Sequence, residues 1–279
     1  MSQFETATAS DPADDCKKPL SDTFTEVELD AIKAVKRSLE EKSVEVSEKE
    51  LILCTINAKL NVEKATTKYM KWLESMKPFG FTSFQQIWKD VNFEALSKRF
   101  QTYAVTGLDS EGRSIMWIRG GSILIHEEAD AIRAGCIFFA AIHSDFVSLR
   151  NGITFVIDTS TNAMTETVGN EQKMQQTYQS MPLRPQKIFI LGAGWLKRLV
   201  INALISFASL FTSEKVIERI RFAEMDEVKE TVPLASLPRY VGGDGGGKEE
   251  DIVSWIKSRI ESFPTCNFES KVESENTSS

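Results

Sequence analysis

Histidine is almost missing from this chain: the 279 residues include two, His126 and His143. Neither stands in an HExxH run. The four cysteines, Cys16, Cys54, Cys136 and Cys266, form no CxxC pair, so no metal-ligand spacing is present. A GxSxG elbow is lacking as well. His143-Ser144-Asp145 sets the residue types of a hydrolytic triad side by side, which is the wrong arrangement. Triad members must converge in space, and neighbours on a helix diverge by about 100° each. The three are expected to be polar residues on a helix surface. With no catalytic set, no metal site and no cofactor ligands in view, the chain is expected not to be an enzyme.

Long apolar runs are missing too. The longest uncharged one, Leu199–Thr212, is shorter than the ~17–25 residues of a membrane span. The opening MSQFETATASDPADDCKK has no apolar core of a secretory leader, which leads us to expect a soluble cytoplasmic protein with reduced thiols. Excess positive charge is absent: the net charge is −7, unfavourable for tracking nucleic-acid phosphates. Much of the acid lies early. Residues 1–50 hold 13 Asp/Glu against 7 Lys/Arg, so the remainder is nearly neutral.

What is present is helical periodicity, followed by strand–helix alternation. Residues 1–23 are polar and expected to be disordered, as are residues 264–279. A helical module is expected over 24–98. Its first helix opens at the capping box Thr25-x-x-Glu28 and its second at Ser47-x-x-Glu50; the third runs from Asn61 with Val62, Ala65, Tyr69, Trp72, Leu73 and Met76 at helical spacing. Over 99–263 the pattern becomes α/β. RFQTYAVTG and RSIMWIRG read as a hairpin joined by LDSEG, followed by one long helix, HEEADAIRAGCIFFAAIHSDFVSL. The apolar runs GITFVID, KIFILG and RIRFAEM then alternate with helices, giving a five-stranded, mainly parallel sheet with flanking helices. A last helix, EEDIVSWIKSRIESF, follows GGDGGG.

Two segments invite a functional reading. Gly192-Ala193-Gly194-Trp195-Leu196-Lys197 follows a strand and opens a helix, as a dinucleotide fingerprint does. Lys197 replaces its third glycine, and the acidic residue that should follow comes late, in RFAEMDE. A dinucleotide-binding oxidoreductase is therefore an alternative reading only. The second segment, Trp195–Phe211, is apolar on more than one face, as a lid helix over a ligand or against a bilayer would be. Around it, Arg184, Lys187, Lys197, Arg198, Lys215, Arg219 and Arg221 face only Glu214 and Glu218. A basic surround on an apolar helix suits an anionic membrane.

Several stretches, in order from about residue 26 to 262, resemble the CRAL-TRIO lipid-binding and transfer family: LNVEKA with its helix ending at Trp72, Asp109-x-Glu111-Gly112-Arg113, GITFVID, FTSEKVIERI and LPRYVGG. FTSEKVIERI resembles the segment after the lid in the tocopherol and retinaldehyde carriers. It implies a sheet floor, an apolar lid helix over 195–211 and a single lipid between them. The implied floor is Val105, Met116, Ile153, Phe155 and Ile157, and the implied roof Leu196, Leu199, Val200, Leu204 and Phe207. Lys215, Arg219 and Arg221 would meet a lipid headgroup or a membrane. Phospholipid-transfer relatives carry hydroxyls where this chain has Ile153 and Phe155, and an inositol-site glutamate where it has Leu183. The resemblance thus implies a weakly polar ligand in place of phosphatidylcholine, with Tyr103, Thr154 or Lys215 as polar contacts; phosphatidylinositol is the main rival, because the lysine after the lid is kept as Lys215. The expected partners are a hydrophobic lipid and, transiently, an anionic membrane surface, with no nucleic acid, for a monomer that associates peripherally with membranes. A phosphoinositide-sensing scaffold is the other alternative.

Overall fold

The computed structural model describes residues 21–119, 128–160, 171–192, 218–245 and 251–266. Three helices come first: α1 (Glu26–Glu40), α2 (Glu48–Asn57) and α3 (Val62–Met76). Thr25 and Glu28 form the expected capping box on α1, and Asn61 caps α3 through the Lys64 amide. Ser47 precedes α2 as expected, but its side chain makes no cap bond. Its amide donates instead to the Tyr69 hydroxyl at 3.0 Å, which locks α2 to α3. Short helices α4 (Gln85–Trp88) and α5 (Phe93–Phe100) lead to the sheet.

The described sheet has four strands, all parallel, in the order β1 (Ile115–Arg119), β2 (Ile153–Asp158), β3 (Pro185–Leu191) and β4 (Ile220–Ala223). Between them run α6 (Glu128–Ile142), α7 (Phe146–Asn151) and α8 (Glu171–Ser180); α9 (Met225–Thr231) and α10 (Ile252–Glu261) follow. Continuous apolar strands suit this arrangement because both faces of β2 and β3 are covered.

Three expectations are corrected among the described residues. The fifth strand, RFQTYAVTG, is not a strand. Arg99 and Phe100 close α5, and only the bridges Tyr103–Ile118 and Leu108–Ser114 run antiparallel to β1. The turn forms, with the Asp109 amide donating to Arg113 O at 2.8 Å. The ladder beyond it is diverted: the Thr106 hydroxyl takes the Ile115 carbonyl at 2.8 Å, and the Gly107 amide goes to Ser236 O. The single long helix is in fact two. It breaks after Ile142, and Asp145 caps α7 by accepting from the Ser148 amide at 2.7 Å. His143 and Ser144, in the break, are buried and not on a helix surface. The apolar helix expected over 195–211, together with Lys215, lies outside the described residues.

One apolar cluster runs through Ile32, Leu51 and Trp72 of the helical module, Phe138 and Phe139 of α6, Met116, Phe155 and Ile188 of the sheet, and Ile256 of α10. A smaller cluster on the other side of the sheet joins Trp117, Val156, Phe189 and Leu191 to Val228, Val232 and Leu237. The Gly152 turn into β2 admits no side chain: φ is +83° and ψ −168°, and a Cβ would strike the Arg184 carbonyl oxygen.

Candidate functional site

Strand alternation puts every second residue on one face. In the observed register, Met116, Phe155, Ile188 and Ile220 form one row across β1 to β4, and Ile118, Ile157, Ile190 and Phe222 form the next. These eight positions carry no hydroxyl, amide or charge. The first row joins the main apolar cluster; in the second, Ile118 and Ile157 are only half-buried and Phe222 is 54% exposed. The five expected floor residues within the described chain, Val105, Met116, Ile153, Phe155 and Ile157, all join or pack on that cluster. The expected roof residues, Leu196, Leu199, Val200, Leu204 and Phe207, lie outside the described residues. Ile118, Ile188, Ile190, Ile220 and Phe222 were not singled out from sequence. The same i, i+2 alternation in IMWI, KIFIL and RIRF would have found them.

The opposite face is polar in places, and its polar groups are used internally. Thr154 donates to Asp109 Oδ2 at 2.6 Å, so it points away from the apolar rows. Burial alone would raise the Asp109 carboxyl. Hydrogen bonds from Thr154 and from the Arg113 backbone and guanidinium instead hold it below the ordinary carboxylate range. At the carboxyl end of β2 the buried Asp158 accepts from the Tyr240 hydroxyl at 2.5 Å and from the Ser160 amide at 2.9 Å. Trp117 Nε1 donates to the same Tyr240 oxygen at 2.6 Å. This chain of bonds ties the Leu237–Gly243 segment to the sheet. On the apolar side, Tyr103 stacks flat on Phe138, with ring centroids 3.8 Å apart.

Arg219 immediately precedes β4 and Arg221 lies within it. Arg221 shares a register row with Trp117, Val156 and Phe189, on the face opposite the apolar rows. Arg219 Nη1 donates to Pro185 O at 2.6 Å. Both arginines line a cleft of about 330 Å³ together with Lys187, Glu218, Glu227 and Glu230. Lys215 lies outside the described residues.

The Gly192 turn has a local explanation. Its φ is +75°, and a Cβ would sit 2.7 Å from the Ser160 amide nitrogen, so the β3 and β2 ends meet only because no side chain intervenes. The rest of the GAGWLK run lies outside the described residues. Among the described residues no cluster of His, Cys, Asp and Glu is arranged to hold a metal ion, and no helix is long and apolar enough to cross a membrane.

Comparison with known proteins agrees with the geometry. Tyrosine-protein phosphatase non-receptor type 9 of Mus musculus is 26% identical over 191 residues, which cover 66% of this chain and 31% of the relative. The Homo sapiens and Rattus norvegicus proteins of that name match to the same extent. This chain thus spans about a third of the length of the curated relatives it matches. The CRAL/TRIO domain family matches residues 99–243, just over half of the chain, taking in all four described strands and the Tyr240 segment. The chain belongs to the CRAL/TRIO family of lipid-binding domains.

Proposed function

We propose that this protein is a non-enzymatic carrier that holds one weakly polar lipid against the Met116–Phe155–Ile188 face and exchanges it between membranes. The observation that carries the reading is the pair of apolar rows, eight side chains of Ile, Phe and Met with no hydroxyl, amide or charge among them. Val105, Met116, Ile153, Phe155 and Ile157 form the floor. Leu196, Leu199, Val200, Leu204 and Phe207 form the roof, on a helix that opens at the membrane.

The physical need for such a carrier is large. A chain of ~15 methylenes loses about 12 kcal/mol on entering water, at ~0.8 kcal/mol each. An apolar cavity removes that barrier without any covalent step. A buried choline phosphodiester without donors would cost several kcal/mol. The one strand hydroxyl near this level, on Thr154, faces the other way and is held by Asp109. An isoprenoid, a sterol-like molecule or a fatty acyl compound needs only one or two polar contacts. Lys215, Arg219 and Arg221 supply the attraction to an anionic surface, about 1 kcal/mol for each charge near it. We place the monomeric carrier in the cytoplasm, with transient membrane contact and no nucleic-acid partner.

Native mass spectrometry of the chain purified from cells tests the proposal. One bound apolar molecule per chain is expected; a bare chain would remove the carrier reading. Efficient phosphatidylcholine exchange between vesicles would overturn the ligand class. A Lys215→Glu, Arg219→Glu, Arg221→Glu variant is expected to lose binding to anionic vesicles at low salt, and unchanged binding would remove these residues from the membrane contact.

A further inference from the structure

We infer that the groove between α3 and α8 is a second binding site, for a small, multiply phosphorylated anion. The groove has a volume of about 780 Å³, within the range of small-molecule sites. Lys64, Thr67, Lys68 and Lys71 recur along α3 at intervals that put them on one helix face. Lys59 joins them from the α2–α3 turn, and Gln179 and Ser180 close the groove from the end of α8.

The charge in this groove is not balanced. It is lined by four lysines and a single acid, Glu63, in a chain whose net charge is −7. Some lysines elsewhere find carboxylates, as Lys77 does with Glu74 at 2.6 Å and Lys187 with Glu111 at 3.0 Å, and others stand singly on the surface; what sets the groove apart is four lysines converging on one concave lining. Among the described residues none of the four groove lysines forms a salt bridge. Lys64 also stands in the first turn of α3, where the helix dipole disfavours a cation, and Lys68 repeats the charge one turn later. Glu63 is the single acid in that first turn and offsets only part of this repulsion, which a bound anion would relieve.

One lysine is held in place. The Lys68 ammonium donates to Asn57 Oδ1 at 2.5 Å, and Asn57 Nδ2 donates to Pro182 O at 2.7 Å. Burial pushes that ammonium below its ordinary range, as expected for a charge fixed in a half-covered site without a counter-ion. Lys59 is held by a backbone with φ of +53°, followed by Leu60 at +64°, so the turn presents its side chain from an unusual conformation.

The lining selects the ligand class. Ala58 is its only apolar residue and no aromatic is present, so it offers neither a seat for an amphipathic helix nor a platform for stacking bases. Lysines act as point charges toward phosphate groups. The anion has two sources, a free polyphosphate or a phosphorylated lipid headgroup, and the site is distinct from the basic residues beside β4.

Titration of the full chain with inositol hexakisphosphate covers the first source. Cosedimentation with phosphatidylcholine vesicles containing phosphatidylinositol 4,5-bisphosphate covers the second. A Lys64→Glu/Lys71→Glu variant changes two exposed side chains and should keep the melting temperature and the bound apolar lipid. Its binding to the hexakisphosphate or to the doped vesicles is expected to weaken at least tenfold, the affected probe naming the source. A Lys215→Glu/Arg221→Glu variant should retain binding to the hexakisphosphate. Equal binding by wild type and the Lys64/Lys71 variant to both probes would overturn the inference, as would equal competition by a polyglutamate peptide. Because the apolar lipid is read separately by native mass spectrometry, failure here is distinguishable from failure of the carrier reading.

Discussion

His143 sits in the break between α6 and α7, 3% exposed, with Nδ1 2.9 Å from Phe139 O and no hydrogen-bond partner for Nε2. Burial pushes the imidazole down to about 4, with Asp145 drawing it up and Arg259 pressing it lower. The folded state therefore takes its proton at lower pH than the unfolded chain does. Stability from the neutral ring is full above the unfolded value near 6.5 and is lost as pH falls toward 4, on the order of 3 kcal/mol at ~1.4 kcal/mol per unit. Urea denaturation at pH 7 and at pH 4.5 should show this loss in the wild type and a smaller one in His143→Leu; equal losses would remove His143 as the cause. The buried Glu50 works in the other direction. Burial raises its carboxyl, so its stabilising effect is present at low pH and fades as pH rises through the folded value. Neither burial was legible in the sequence. The run His143-Ser144-Asp145 looked like helix surface because periodicity continues on either side, and only an aspartate one residue before an apolar run marked a new helix start.

At the scale of elements, the start of α1 is clamped by α7. Arg150 Nε and Nη2 each lie 2.8 Å from the Glu28 carboxylate, Nη2 also reaches Thr23 O at 2.7 Å, and Nη1 donates to Ser21 O. The guanidinium rests on Phe146, 4.7 Å from the ring centroid, while Phe24 meets Phe146 edge-on at 4.9 Å. Removing one partner of a largely buried pair leaves the other uncompensated, so Arg150→Met should cost about 2–3 kcal/mol. A loss below ~0.5 kcal/mol in chemical denaturation would show that the clamp holds nothing. The helices of this module were legible because Thr25 and Asn61 announce their starts and their apolar stripes are long. β2 and β3 were legible as unbroken apolar runs with both faces covered. The strand expected at 99–107 was not, because its alternation is real but its hydrogen-bonding partners go elsewhere: Thr106 to Ile115 O through its hydroxyl, and Gly107 to Ser236 O. A sequence states which side chains alternate; it does not state which amide meets which carbonyl.

The molecule as a whole places its apolar rows at the boundary between a packed core and a half-covered edge, with Phe222 at that edge. Phe222→Asp adds a charge to the rows where the side chain is already exposed, so stability should change by no more than ~0.5 kcal/mol. Lipid transfer between vesicles should fall at least fivefold, because the lipid would have to pass or desolvate a carboxylate. Full transfer by this variant would show that β4 forms no part of the ligand surface. The parallel order of the sheet has a kinetic consequence as well. Ile115 pairs with Thr154, Thr154 with Lys187, and Ile188 with Ile220, so each pairing closes a loop of roughly 30 to 40 residues before any ladder bond forms, which makes the sheet a slow, non-local structure to assemble. No hairpin among these strands can nucleate it early. On the ribosome, the two apolar rows stay incomplete until the codons for Ile220 and Phe222 have been read. Until then Met116, Phe155 and Ile188 are adhesive side chains on an unfinished surface.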